Sequence, residues 1–320
     1  MEGGWSSPPS HSILCTQPRR LAAINLSARV ANETNSTLGT TVGHNVRFQS
    51  RFHPQKTHIL FATDGMLVRM ATLEDPLLRK YSVIMVDEAH ERGLNSDLVL
   101  GILKKIRRKR KKTLRIVICS ATIDAPQFLD FFCDKSKGDG VIISIDGRQY
   151  PVDVLYKQVP CANYIKGTVN TAMEIHFQER YEHGDILCFL PSGEDIDRAI
   201  DYAREEIEQI LAKQQNKKYR RPELLPLYGT LPYHLQTRVF DTSKHKHTGA
   251  RRIIFATNIA ETSVTVPNIR HVIDSGFVKL PYFDSLDGFE RLITCPISRA
   301  SAKQRAGKCC FQKYANNKIN

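Results

Sequence analysis

No stretch of the 320-residue sequence approaches the roughly 20 consecutive apolar residues of a membrane-spanning helix, so no membrane association is expected. The opening MEGGWSSPPSHS has no basic segment leading into an apolar one, which argues against a secretory leader. The eight cysteines (15, 119, 133, 161, 188, 295, 309 and 310) form no C-x-x-C pair. That spacing supplies neither a zinc site nor a disulfide framework, and it fits a reducing compartment. Acids are the scarcer charge, 33 against 46 Lys and Arg. The resulting +13 and pI near 9.4 favour a polyanionic partner, with nucleic acid first. Internal repeats and low-complexity tracts are absent too.

What is present is an alternation. The apolar runs HSILCTQ (11–17), HILFATD (58–64), SVIMVDE (82–88) and LRIVICSA (114–121) are each followed by a helix-like segment. Continuous apolar strands of this length, alternating with helices, indicate a parallel sheet covered on both faces. VIISIDGRQYPVDVLY (141–156) breaks the rhythm at Gly147 and Pro151, and a domain boundary is placed there. The pattern restarts with DILCFL (185–190), LLPLYG (224–229), RRIIFATN (251–258) and HVIDSGF (271–277). The fold class is therefore α/β, with two tandem domains of mostly parallel sheet, residues 1–146 and 147–320. Ligands are expected at the carboxyl ends of the strands. KKIRRKRKK (104–112) closes a predicted helix and reads either as a solvated terminus or as a nuclear-import or RNA-phosphate patch.

SVIMVDEAH ends an apolar strand in Asp87-Glu88-Ala89-His90. Two acids at such a tip are how nucleoside triphosphatases hold Mg²⁺, a cation that accepts one or two carboxylates and leaves its other positions to water and phosphate. Alone the pair is weak. Its company makes it specific: Ser120-Ala121-Thr122 closes the next strand, and TQPRR (16–20) and TDG (63–65) open helices. ATNIAETS (256–263) and QRAG (304–307) follow in the second half.

In this order and spacing the motifs resemble the DEAH-box RNA helicases of superfamily 2, across roughly residues 12–307. PVDVLY and NYIKGTVNTAMEIH are most similar to the spliceosome-associated members, which implies mRNA splicing and a nuclear location. The resemblance implies two RecA-like domains that clamp ATP and grip single-stranded RNA or an RNP, with Mg²⁺ as cofactor and a glycine-rich protein as a possible activator. Carried over by motif, Asp87 and Glu88 hold the metal and activate water, and His90 couples the site to the other domain. Ser120 and Thr122 link hydrolysis to strand movement, and Gln304 faces the γ-phosphate. Arg29 and Phe240 sandwich the base and Asp274 meets the ribose. Arg19, Arg20, Thr63, Ser192, Gly193, Thr257 and Asn258 meet the RNA backbone, a grip on phosphate and sugar that is independent of base sequence.

Two departures from the family stand out. No G-x-x-x-x-G-K-[ST] cradle for the phosphates occurs, and the 15 residues before Thr16 are too few for its strand, loop and helix. Met1 is thus expected to be an internal start, with the first sheet missing a central strand and that domain weakened. The family's Q-R-x-G-R-x-G-R reads QRAGKCCF here, so Lys308 and Phe311 replace two arginines. Loss of an arginine finger costs about 10³ to 10⁵ in turnover. The expectation is an ATP-dependent RNA helicase by family whose catalysis is impaired in this chain. The alternative is a non-catalytic fragment that binds RNA or a partner.

Overall fold

A computed structural model describes residues 11–121, 125–133, 138–145, 151–159, 161–178, 184–213, 221–241, 250–261, 266–285 and 287–309. The chain divides into two compact units, Met1–Asp146 and Gly147–Asn320.

Unit 1 is built on a six-stranded sheet of order β3-β2-β4-β1-β5-β6. Its strands are β1 (Ser12–Gln17), β2 (Val42–Val46), β3 (Gln49–Arg51), β4 (Ile59–Thr63), β5 (Tyr81–Val86) and β6 (Arg115–Ile118). All pairings are parallel except the β2–β3 hairpin. Side chains alternate across a strand, so each apolar run feeds two cores. Leu14, Leu60, Ala62, Ile84 and Val86 pack on one face against α2 (Asp64–Arg69) and α3 (Leu94–Lys109). Cys15 and Phe61 turn to the other face, under Ala23, Ile24 and Ala31 of α1 (Arg20–Glu33). α3 contributes Val99, Leu100, Leu103 and Ile106, the one-sided stripe of a 3.6-residue period.

β1 lies at the centre, between β4 and β5. β6 has a single strand neighbour among the described residues, β5, and its Val117 is half-exposed. The β-branched run at 141–145 forms no strand, and Val141, Ile143 and Ile145 are exposed. The β2–β3 hairpin was not legible as strand. Gly43 is needed there, because a Cβ would stand 2.5 Å from the carbonyl oxygen of Arg51.

Unit 2 has a parallel sheet of order β10-β7-β9-β8, formed by β7 (Asp185–Phe189), β8 (Glu223–Leu227), β9 (Arg252–Ala256) and β10 (Ile269–Asp274). Every residue of β7 and β9 is buried, which is why both read as unbroken apolar runs. α4 (Ala125–Phe132) closes unit 1; α5 (Tyr164–Gln178), α6 (Gly193–Lys213) and α7 (Tyr233–Thr237) belong to unit 2. After β10 come a two-stranded antiparallel ribbon, β11 (Phe277–Asp284) and β12 (Phe289–Pro296), and α8 (Arg299–Ala306). At the amino ends of β7 and β9 a buried ion pair joins the strands: Arg252 donates to Asp185 Oδ2 from Nε (2.8 Å) and Nη2 (2.6 Å). Arg252 also holds the carbonyls of Val239 and Pro267.

Candidate active site

Parallel pairing brings the carboxyl ends of β1, β2, β4, β5 and β6 to one edge of unit 1. Gln17 and Arg19, Arg47, Thr63 and Asp64, Asp87 and Glu88, and Cys119 and Ser120 therefore share that edge. The ladder runs on past β6: Cys119 N–H donates to the Val86 carbonyl, and Ala89 N–H donates to the Cys119 carbonyl. This fastens the Ser120 segment beside the acids. Thr122 lies outside the described residues.

Asp87 is fixed by neutral donors. Gln17 Nε2 donates to its Oδ2 at 2.6 Å, and the Glu88 N–H donates to its Oδ1 at 2.9 Å. Each oxygen keeps a lone pair for a further partner. Glu88 has φ 54°, in the left-handed region, a conformation that costs about 1–3 kcal/mol and turns the chain sharply off the strand tip. Its Oε2 lies 3.3 Å from His90 Nε2. His90 Nδ1 accepts the Ala121 N–H at 3.2 Å, so the ring proton sits on Nε2 and points at Glu88. Within unit 1, His90 thus ties the acids to the Ser120-Ala121 segment. An all-oxygen donor set at a strand tip fits Mg²⁺, which takes few carboxylates and keeps its water.

The surroundings are tuned by burial. Cys15 is pushed up to about 12, first by burial and then by Asp87. Cys119 is raised by burial, then by Asp87 and Glu88, so both thiols stay protonated and unreactive. Asp64 is also raised by burial, opposed by the Ser96 hydroxyl that donates to its Oδ2 at 2.5 Å. That bond joins the start of α2 to the start of α3, immediately after the acid turn.

The expected RNA contacts of unit 1 fall beside these groups. Arg19 pairs with Glu91 at 3.5 Å, Arg20 is exposed, and Thr63 precedes α2 without capping it. Arg29 is not brought to the edge. It lies nine residues beyond Arg20, about 14 Å along α1, exposed and paired with Glu33.

In unit 2, Ser192 and Gly193 follow the carboxyl end of β7, Thr257 and Asn258 follow that of β9, and Asp274 is the last residue of β10. Ser192 caps α6: its hydroxyl donates to Asp195 Oδ2 (2.8 Å) and accepts the Asp195 N–H (3.2 Å). Gly193 is the first residue of that helix, and a Cβ there would press on the Tyr228 ring at 3.2 Å. Thr257 precedes the short turn Asn258–Ala260. Asp274 Oδ1 accepts both the Gly276 N–H and Arg305 Nη1, each within 2.9 Å. Phe240 is half-buried after α7, and Gln304 is half-buried on α8.

Two family models match: "DEAD/DEAH box helicase" over residues 7–130 and "Helicase conserved C-terminal domain" over 167–310. Their order, with Asp87-Glu88-Ala89-His90 at the β5 tip, decides the assignment. The chain belongs to the DEAH-box helicases. It is 43% identical over 312 residues to the human "Probable ATP-dependent RNA helicase DHX35", covering 96% of this chain and 43% of that protein. It is 40% identical to the Caenorhabditis elegans homologue of DHX35, covering all of this chain and 43% of that one. Among solved structures it resembles the Escherichia coli DEAH/RHA helicase HrpB, with a TM-score of 0.75 and 32% identity over 93% of this chain and 35% of HrpB. The chain thus spans less than half the length of these helicases.

Three residues at these edges escaped sequence reasoning. Gln17 reads as one polar residue in TQPRR, yet it is fully buried and grips Asp87. Arg305 takes no role in the motif reading of QRAG, yet it is 1% exposed, bonded to Glu261 and Asp274 at 2.8 Å and lying over the Phe189 ring. Arg47 stacks on the exposed Phe48 ring, 4.8 Å from its centroid, in the two-residue turn after β2. An Arg-Phe pair between two short strands is the one signal that could have marked this turn.

Proposed function

We propose that this chain is the ATP-handling and RNA-handling core of a DEAH-box RNA helicase that couples ATP hydrolysis to unwinding RNA or remodelling an RNP. The observation that carries the reading is the Asp87-Glu88 pair at the β5 tip, braced by Gln17 and His90 beside Ser120. Mg²⁺, when bound, supplies positive charge for the phosphates. Asp87 would hold it, and Glu88 would orient an attacking water and take its proton. Backbone N–H groups at the start of α6, with Arg19, Arg20 and Thr63, meet RNA phosphates. Arg29 and Phe240 as base contacts, Asp274 as ribose contact, and Gln304, Thr257 and Asn258 in their family roles rest on motif position. A nuclear setting in splicing, and a glycine-rich activator, rest on the family resemblance alone.

The 320-residue polypeptide contains no G-x-x-x-x-G-K-[ST] and carries Lys308 where the family has arginine. For this 320-residue polypeptide taken by itself we therefore propose poor or absent turnover, with RNA binding retained. Phosphate release from Mg-ATP, with and without single-stranded RNA and with Glu88→Gln as control, tests this. RNA-stimulated release abolished by Glu88→Gln would establish the helicase ATPase in this chain and overturn the impairment. Release at the control level, with RNA still bound, would support the binding-only reading.

A further inference from the structure

Unit 1 owes its positive charge to one place. The twelve residues from Lys104 to Arg115 carry nine cations and no acid, whereas the rest of residues 1–146 carries 12 cations against 14 acids. Without that stretch unit 1 is net negative. Folding then sorts the nine cations. Arg110 donates to the carbonyls of Leu77, Leu78 and Tyr81, clamping the turn ahead of β5. Arg107 holds the Phe132 carbonyl and pairs with Asp139, and Lys104 lies over the Phe131 ring at 3.9 Å. Lys105, Arg108, Lys109, Lys111, Lys112 and Arg115 are all exposed. Of these, the first five have no ion-pair partner among the described residues. Two acids beside the clamp are already engaged: Asp139 by Arg107, and Asp75 by the N–H groups of Leu77 and Arg79.

The clamp also fixes where the patch stands. Arg110 reaches the start of β5, and Arg115 begins β6, so the patch lies at the amino ends of the strands. Asp87, Thr63 and Arg19 are at the other end. Lys105, the first of the patch residues along α3, stands 11 residues beyond Leu94 at the helix start, about 17 Å along the axis. That is about two Debye lengths at physiological ionic strength, so the two sets of cations act largely as separate fields.

We propose that Lys105, Arg108, Lys109, Lys111, Lys112 and Arg115 form a second RNA-binding surface at the amino end of the unit 1 sheet, contacting the sugar–phosphate backbone without base preference. Lys105, Arg108 and Lys109 share one helical face about 5–6 Å apart, a spacing that suits successive phosphates. The negative end of the α3 macrodipole opposes an anion by about half a charge, and six cations outweigh it. Nuclear import is the weaker reading of the same run. An import signal is taken up as an extended peptide, and here residues 104–109 are helical with Arg107 and Arg110 locked onto backbone carbonyls. The surface rests on the helicase reading only in naming RNA as the polyanion.

The test uses the whole chain and a fluorescein-labelled 20-nucleotide oligouridylate, with anisotropy titrations between 50 and 200 mM KCl. One variant carries Lys105, Arg108, Lys109, Lys111 and Lys112→Gln, leaving Arg107 and Arg110 in place. A second carries Arg19→Gln and Arg20→Gln. The first variant should keep the wild-type melting temperature, because its positions are exposed. It should bind at least tenfold more weakly at 50 mM and lose about 2 to 3.5 units of the log Kd against log salt slope, at about 0.7 per phosphate released. An unchanged Kd and slope, with loss confined to the Arg19 and Arg20 variant, would overturn the second surface and leave the helicase reading standing. If the five changes instead abolished nuclear accumulation of a fluorescent fusion without touching RNA binding, the run would belong to import. Failure of the wild-type chain to bind the RNA at 50 mM would overturn both readings.

Discussion

In unit 1 the acid at the β5 tip, Asp87, is held by an amide and a backbone N–H, with no Lys or Arg paired to it among the described residues. In unit 2 the acids near the strand ends are already neutralised: Asp274 and Glu261 by Arg305, and Asp185 by Arg252. Both arginines are 1% exposed. A carboxylate fixed by neutral donors keeps its charge available to an incoming cation. One fixed by a buried guanidinium has spent that charge on the fold. An aspartate at the carboxyl end of a parallel strand is thus left without a guanidinium partner in unit 1 and is paired with one in unit 2. Hydroxyls divide the same way. Thr63 precedes α2 without capping it, whereas the Ser192 hydroxyl is used in both directions on Asp195.

Breaking the architectural side should have the largest effect. Arg252→Leu strands Asp185 in the core and should lower the stability of unit 2 by about 3–5 kcal/mol, read as a lower urea midpoint. Adding Asp185→Asn should recover part of that loss, because the unpaired charge goes with it. On the chemical side, Gln17→Leu should leave the melting curve nearly unchanged while weakening Mn²⁺ binding, followed by its EPR signal, by about 10–100-fold. Equal Mn²⁺ affinity in the two proteins would show that Gln17 only fills space.

The hydroxyl comparison predicts a crossed result. Ser192→Ala should cost about 1 kcal/mol of stability as a lost cap and leave RNA affinity within about twofold. Thr63→Val should leave stability within about 0.5 kcal/mol and weaken RNA binding about fivefold. Thermal melts and anisotropy on both variants would show whether the roles are exchanged. The smallest effect belongs to Arg29→Ala, worth about 0.3–0.5 kcal/mol as an exposed i,i+4 pair. A loss of more than tenfold in affinity for a fluorescent ATP analogue would instead make Arg29 a base contact.

Strands buried on both faces were legible because burial on both sides forces unbroken apolar runs, as in DILCF and RIIFA. β2 and β11 were not. β2 mixes Gly43, His44 and Asn45 into its run, and β11 carries Lys279 and Pro281 in a ribbon largely exposed to solvent. Neither leaves a periodic trace. The Asp87-Glu88-Ala89-His90 turn was legible because its chemistry needs adjacent residues. The grip of Gln17 on Asp87 was not, since those residues stand 70 positions apart.

The sequence by itself determined the parallel α/β alternation, the order of the helicase motifs and the acid pair at a strand tip. All of these depend on residues close together in the chain. Only the tertiary structure decided which charges are spent. It turned Arg305, Arg252, Arg107 and Arg110 into internal clamps and left Lys105, Arg108 and Lys109 facing solvent. A cation's partner is set by which strand or turn folds beside it, and composition is blind to that.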